Sequence, residues 1–363
     1  MSNLESITIQ DLGYGPFFES SRIGMELDEF PVARVISEYK EAYRVKNECG
    51  EYPAKVTGKQ IFNAFSRENY PAVGDWVAIN ELNKEQAVIQ ALLPRQTVMK
   101  RKYSGKNETQ IIAANIDVAF VIESVDRDFS LNRFDRYFAL AREGGILPAI
   151  ILNKIDLISH EELNSKTTKI QERFKDIVFI PTSVVTAEGL DQFRVHLEKG
   201  RTYCFLGSSG VGKSSLINKL LGRTATRTGD ISSYSGRGKH VTTSRQMYFL
   251  EGGGMIIDNP GMRELGMTNA DTGIDAAFDE ISSLAEMCKY SNCTHINEPG
   301  CSVLSALKSG NLDAGKYENY LSLKKEAAFY EMTESERRKR DRQFGKFFKK
   351  SKKDLKRLGH KNY

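Results

Sequence analysis

The run Gly207-Ser208-Ser209-Gly210-Val211-Gly212-Lys213-Ser214 has the spacing G-x-x-x-x-G-K-S. Glycines so placed let backbone N–H groups curl around an anion, and a helix opening at the lysine adds a favourable dipole. The chemistry is that of a nucleoside polyphosphate. Lys213 is expected to reach the β and γ phosphates, and Ser214 to ligate Mg²⁺. The strand-like RTYCFLG before the run and the amphipathic SSLINKLLG after it supply the context this motif requires.

Asn153-Lys154-Ile155-Asp156 follows directly on the strand-like LPAIIL. Guanine presents N1–H and its exocyclic amino group as adjacent donors, and the single carboxylate of Asp156 can accept both. Adenine would leave that carboxylate unpaired. Asn153 can bond the base edge, and the stem of Lys154 can lie against the ring. Thr182 and Ser183, in Pro181-Thr-Ser, end the next strand. They stand either where a further loop covers the base or at a plain strand end.

Asp258-Asn259-Pro260-Gly261 fits D-x-x-G at the end of the strand MII. There the aspartate would hold Mg²⁺ through water and the Gly261 amide would sense the γ-phosphate. Upstream, Gly238-Lys-His240-Val-Thr242-Thr243 lies in a Gly/Ser-rich stretch that reads as a mobile switch. Thr242 or Thr243 completes the Mg²⁺ shell, and the sequence does not choose between them. Many GTPases orient the attacking water with a glutamine after D-x-x-G; here that position is Met262, which cannot. His240 is the nearest substitute, an imidazole able to orient or polarise water, with a plain solvated histidine as the alternative.

Cys288-x4-Cys293-x-His295-x5-Cys301 supplies three thiolates and an imidazole, a complete tetrahedral set for one structural Zn²⁺ per chain. No position is left open for substrate. Such a site can contribute roughly 10–16 kcal/mol to folding a small module. The five cysteines are an odd number, and three of them crowd beside one histidine, which points to metal rather than disulfides. Cys49 and Cys204 read as strand residues of the core.

These motifs need a scaffold. The chain has 363 residues, enough for two or three domains. It is 40% hydrophobic and 27% charged, ordinary for a globular protein. No apolar run reaches the roughly 18 residues of a membrane span, and the polar start lacks signal-peptide character, so a cytoplasmic protein without membrane contact is expected. With no extended heptad pattern, a monomer is expected.

Residues 1–29 form an N-terminal extension. Residues 30–98 carry five short strand patterns with turn signals at Glu48-Cys49-Gly50 and Val73-Gly74-Asp75, which predicts a small barrel of the oligonucleotide-binding (OB) kind. Residues 105–266 alternate strand and helix patterns, a doubly wound α/β domain with a mainly parallel sheet. Residues 267–330 are helical around the metal cluster. Residues 331–363 form a basic tail. The last forty residues hold fifteen Lys/Arg against six acids, with Phe344, Phe347 and Phe348 interleaved, a composition suited to RNA, with a plain solvated face as the alternative.

Ordinary GTPases run phosphate loop, threonine switch, D-x-x-G, then N-K-x-D. Here N-K-x-D comes first, so the set is circularly permuted. The chain leaves the domain just after D-x-x-G, which ties the γ-phosphate sensor directly to the metal module.

This combination resembles the bacterial ribosome small-subunit-dependent GTPase A family (RsgA, also called YjeQ). The likeness rests on the barrel, the rotated order N-K-I-D, G-S-S-G-V-G-K-S, G-K-H-V-T-T and D-N-P-G, and the Cys-x4-Cys-x-His-x5-Cys cluster, and it spans about residues 30 to 330. Two positions depart from the family pattern: Val241 replaces the first of three threonines, and Asn259 replaces a serine. The resemblance implies GTP hydrolysis to GDP and phosphate, with Mg²⁺, stimulated by the small (30S) ribosomal subunit during its late assembly, and 16S rRNA as a partner. It carries Asn153, Lys154 and Asp156 to the base, with Ile155 between them, and Gly207 to Ser215 to the phosphates. It also carries His240 to catalysis and Cys288, Cys293, His295 and Cys301 to zinc. The alternatives from other classes are a nucleotide-regulated RNA-binding timer with little catalytic role, and a P-loop ATPase or kinase, against which Asp156 argues.

Overall fold

The structure is a computed structural model. It describes residues 7–39, 42–57, 67–83, 86–102, 109–126, 129–222, 245–258, 271–332, 335, 336, 338–340 and 342. The basic tail beyond residue 342 lies outside them, as do His240, Thr242, Thr243 and Gly261.

Five strands close on themselves: β1 (Val32–Tyr39), β2 (Ala42–Lys46), β3 (Glu51–Val56), β4 (Trp76–Asn83) and β5 (Gln86–Leu92). Their order is β1-β2-β3-β5-β4, and β4 returns to β1, a closed OB-like barrel. Only β3 and β5 pair in parallel, with Ala54 opposite Ala87. Period-two alternation does the sorting: Val35, Val45, Ala54, Val77 and Ile89 point inward and are buried. The turn after β2 is pinned by Asn47, whose Oδ1 accepts from the N–H groups of Cys49 and Gly50. Cys49 is therefore exposed on that turn, not a core strand residue as expected, whereas Cys204 is fully buried on its strand.

The remaining strands are β6 (Val98–Lys102), β7 (Thr109–Ala114), β8 (Val118–Ser124), β9 (Leu147–Asn153), β10 (Phe179–Thr182), β11 (Thr202–Leu206), β12 (Arg245–Phe249) and β13 (Met255–Asp258). β6 and β7 form a separate two-stranded ribbon that the alternation pattern did not suggest. The others run in the order β10-β9-β8-β11-β13-β12, parallel except for β12. Their near-continuous apolar runs reflect burial on both faces. β12 then pairs antiparallel with β1, Gln246 opposite Ser37 and Arg245 opposite Glu38, so barrel and α/β domain share one sheet.

Arg34 locks this junction. Its guanidinium is buried and donates to the carbonyls of Leu12, Gly74 and Asn115, one from each neighbouring segment. Within the N-terminal extension, Tyr14 and Phe18, beside helix α1 (Pro16–Gly24) and on it, pack against Trp76 of the barrel, Tyr14 edge-on and Phe18 tilted.

The helices flanking the sheet are α2 (Leu131–Glu143), α3 (His160–Arg173), α4 (Leu190–Val195) and α5 (Lys213–Leu220). Ser159 and Glu162 form a complete capping box at the start of α3, satisfying two N–H groups that would otherwise be orphaned. The C-terminal module consists of α6 (Asp271–Ala277), α7 (Asp279–Glu286), α8 (Ser302–Lys308) and α9 (Ala314–Glu331). It seats on α2. The two terminal nitrogens of Arg136 donate to the two carboxylate oxygens of Glu326 at 2.7 and 2.8 Å, and Asn319 donates to Asp135 at 2.9 Å. The downstream module is thus held by a packed helix as well as by the chain that follows D-x-x-G.

Candidate functional site

The site stands at the carboxyl ends of β8, β9, β11 and β13, where open parallel sheets collect ligands because loops there face one crevice. β11 ends at Leu206 and the glycine-rich loop follows, returning into α5 at Lys213. Gly207 and Gly212 have positive φ, and a Cβ on either would clash, with the Ile122 carbonyl and the Asn153 side chain respectively. Glycine is thus required by backbone conformation and by close approach together. Lys213 Nζ donates to the carbonyls of Gly207 and Ser208, both at 2.6 Å, which curls the loop over the head of α5. Ser214 and Ser215 follow in the first turn of α5. Asp258 ends β13, the parallel neighbour of β11, and so stands at the same edge.

Asn153 is buried at the end of β9. Its Nδ2 donates to the Val211 carbonyl at 2.9 Å, and its Oδ1 accepts from Thr182 Oγ1 at 3.1 Å. Asn153, expected at the base edge, also braces the base loop against the phosphate loop through its amide. Lys154 takes a left-handed φ of 64°, a strained choice for lysine that turns the chain sharply into the loop. Its Nζ pairs with Asp126 at 2.8 Å. Ile155 is buried beneath.

Asp156 accepts from Ser183 Oγ at 2.5 Å through Oδ1. Ser183 is fixed in turn, its Oγ accepting from the N–H groups of Val185 and Thr186 at 3.2 and 3.1 Å. One carboxylate oxygen is thereby oriented by protein. Thr182 and Ser183 therefore meet the N-K-x-D loop through their side chains.

Three residues that no motif suggested lie beside the phosphate loop. Glu123 is buried at the end of β8, 3.0 Å from Arg133 of α2. Tyr137, one turn along α2, has its phenol near the Ser208 side chain. Burial pushes the Glu123 carboxyl up to about 7, against the opposing pull of Arg133 and Lys213. A glutamate in an otherwise apolar strand run was the one available sequence signal.

The metal-ligating atoms of Cys288, Cys293, His295 and Cys301 lie within 4.8 Å of one another. Cys288 Sγ is 3.9 Å from Cys301 Sγ, and the two sulfurs are 3.7 and 3.5 Å from His295 Nδ1. Tetrahedral bonds of about 2.3 Å to sulfur place two thiolates about 3.8 Å apart, so the spacing fits a four-coordinate metal. Burial holds the His295 imidazole below its usual pKa, in the neutral form a metal needs. Its positive-φ backbone is held by Tyr317, whose hydroxyl donates to the His295 carbonyl at 2.7 Å.

A mainly parallel sheet with the N-K-x-D strand upstream of the phosphate loop, both ending in one crevice, defines a circularly permuted P-loop GTPase fold. An OB-like barrel precedes it and a helical module with a candidate metal centre follows. The chain belongs to the RsgA family: residues 92–268 match the RsgA GTPase family model. It is 39% identical to small ribosomal subunit biogenesis GTPase RsgA 2 of Lactiplantibacillus plantarum, over 86% of this chain and 89% of that one. It is 38% identical to RsgA 1 of Bacteroides thetaiotaomicron, over 88% and 90%. Among solved structures, YjeQ from Thermotoga maritima superposes with a TM-score of 0.64 at 25% identity, covering 82% of this chain and 98% of that one. YloQ, described as a circularly permuted GTPase, shares the fold with a TM-score of 0.63 at 22% identity, covering 84% and 97%.

Proposed function

We propose that this protein is a GTPase of small ribosomal subunit biogenesis that binds the 30S subunit and, stimulated by it, hydrolyses GTP to GDP and phosphate. The observation that carries the reading is the Asn153–Val211 hydrogen bond, which joins a guanine-type base loop to a phosphate loop at one sheet edge. The relatives' names supply the ribosomal subunit.

In this reading Asp156 accepts the two guanine donors, with Ser183 holding its carboxylate in plane. Lys213 exchanges the loop carbonyls for β and γ phosphate oxygens, and the N–H groups of Gly207 to Ser215 surround the phosphates. Ser214, Asp258 and one of Thr242 or Thr243 offer the oxygen donors that Mg²⁺ prefers, and the ion would neutralise charge on the phosphates. Gly261 senses the γ-phosphate. His240 orients the attacking water, since Met262 cannot. Cys288, Cys293, His295 and Cys301 hold one structural Zn²⁺. The barrel and the basic tail contact 16S rRNA. The protein works as a cytoplasmic monomer, the location expected of a factor that acts on ribosomal subunits.

The decisive experiment is hydrolysis of GTP and of ATP by the purified protein, with and without small subunits. GTP-specific stimulation by the subunits supports the whole reading. Equal use of ATP removes the base reader, and no stimulation removes the subunit as activator.

A further inference from the structure

The Glu123–Arg133 pair has no part in any nucleotide motif, yet its position is specific. β8 and β11 run parallel with Val121 opposite Leu206, so Glu123, two residues on, stands beside the start of the phosphate loop. Ile122 belongs to the same buried cluster as Val211 and Leu216, while Val121 belongs to the cluster on the other face that holds Phe134 and Phe138 of α2. Alternation therefore turns Glu123 toward α2. There Arg133 Nη2 lies 3.0 Å from Glu123 Oε2, and Tyr137, one turn further along the same helix, has its phenol near Ser208 of the loop.

A buried carboxylate next to a phosphate site opposes polyphosphate binding unless a cation covers it. Two cations act on Glu123, Arg133 and Lys213, and in the proposed mechanism Lys213 turns to the phosphates. Arg133 is then the one that stays. A guanidinium carries five donors in a rigid fork, so holding Glu123 leaves others for a phosphate oxygen. Arg133 Nε and Nη2 are both buried and lack a hydrogen-bond partner among the described residues, so Glu123 holds the group by charge, while the side chain as a whole is 32% exposed rather than sealed in the core.

We propose that Arg133, positioned by Glu123, is a phosphate-contacting residue at the triphosphate end of the site, one that favours GTP over GDP. This rests on the reading of the crevice as a guanine-nucleotide site.

The test is equilibrium binding of GDP and of a non-hydrolysable GTP analogue to the full chain. Binding of either by the wild type establishes the site; binding of neither would overturn the proposed function itself, and this inference with it. Given binding, Arg133→Met should weaken the triphosphate analogue by about tenfold or more and GDP by less than about threefold, the scale of one charge-assisted contact. Arg133→Lys should recover part of the loss. Because Arg133→Met alone leaves a buried carboxylate uncovered, the double variant Glu123→Gln/Arg133→Met keeps the test independent of folding. It should melt near the wild type and still show the lowered ratio. Arg136→Ala, on the same helix but paired with Glu326, should keep the wild-type ratio. A folded double variant with the wild-type ratio would overturn the proposal and leave the pair as packing. Equal losses in Arg133→Met and Arg136→Ala would overturn it too.

Discussion

Asn153 donates a 2.9 Å hydrogen bond to the carbonyl of Val211, fifty-eight residues further along the chain (|i−j| = 58). The bond gives the base loop and the phosphate loop a common anchor. Asn153→Ala would leave the buried Val211 carbonyl and the Thr182 hydroxyl without this partner, at about 1–3 kcal/mol. The expected result is a loss of roughly tenfold or more in affinity for GDP and GTP alike, since the brace serves both nucleotides. Titration calorimetry checks it, and loss for one nucleotide alone would contradict a shared anchor.

Asp156 sets base choice. Asp156→Ala removes the acceptor that adenine cannot use, so the advantage of GTP over ATP should fall by about 100-fold or more, because a site built on hydrogen bonds discriminates steeply. Competition binding with the two nucleotides measures it. Ser183→Ala, which frees the carboxylate to rotate, should give a smaller loss in the same direction.

His240→Ala should bind GTP as the wild type does and turn it over on the order of 100-fold more slowly in the presence of small subunits, if the imidazole orients water. Single-turnover kinetics separates the two effects. Unchanged turnover removes the histidine from the mechanism.

The Cys₃His cluster predicts one zinc per chain by metal analysis. Cys301→Ser should lower the metal content and expose α8 and α9 to protease, because Cys301 both belongs to the cluster and caps α8, its sulfur accepting from the Leu304 N–H. Tyr317→Phe should keep the metal but cost about 1 kcal/mol, the worth of the hydrogen bond to the His295 carbonyl. A native protein without zinc would sink the assignment.

Glu123 makes stability depend on pH in a direction opposite to that of an ordinary surface carboxylate. Its pKa is raised by burial from 4.5 to about 7, so the folded state keeps a proton that the unfolded chain has released across that window. Stability therefore declines as pH rises through it. Arg133, Lys213 and Tyr137 are the charged or titratable groups that face this carboxyl. Glu123→Gln cannot ionise, so the wild type's melting temperature relative to the variant's should fall between pH 5 and pH 8. The opposite slope would mean that Arg133 holds the carboxylate ionised throughout.

The sequence by itself determined which contiguous motifs the chain carries and in what order. Gly207 to Ser214, Asn153 to Asp156 and Cys288 to Cys301 are short-range patterns in which residue type and spacing are nearly the whole geometry. The permuted order was legible for the same reason, and so were the strands of the barrel, because alternating burial has a period of two. What only the tertiary structure decided are relations between elements far apart in the chain. Periodicity shows which face of a strand or helix is buried, not which partner covers it. Hence the turn of Asn153 toward Val211, the pairing of β12 with the barrel, the three carbonyls gathered by Arg34 and the meeting of Glu123 with Arg133 all had to await the fold. The exposure of Cys49 follows from the turn already signalled at Glu48-Cys49-Gly50; the fold adds the Asn47 hydrogen bonds that pin it.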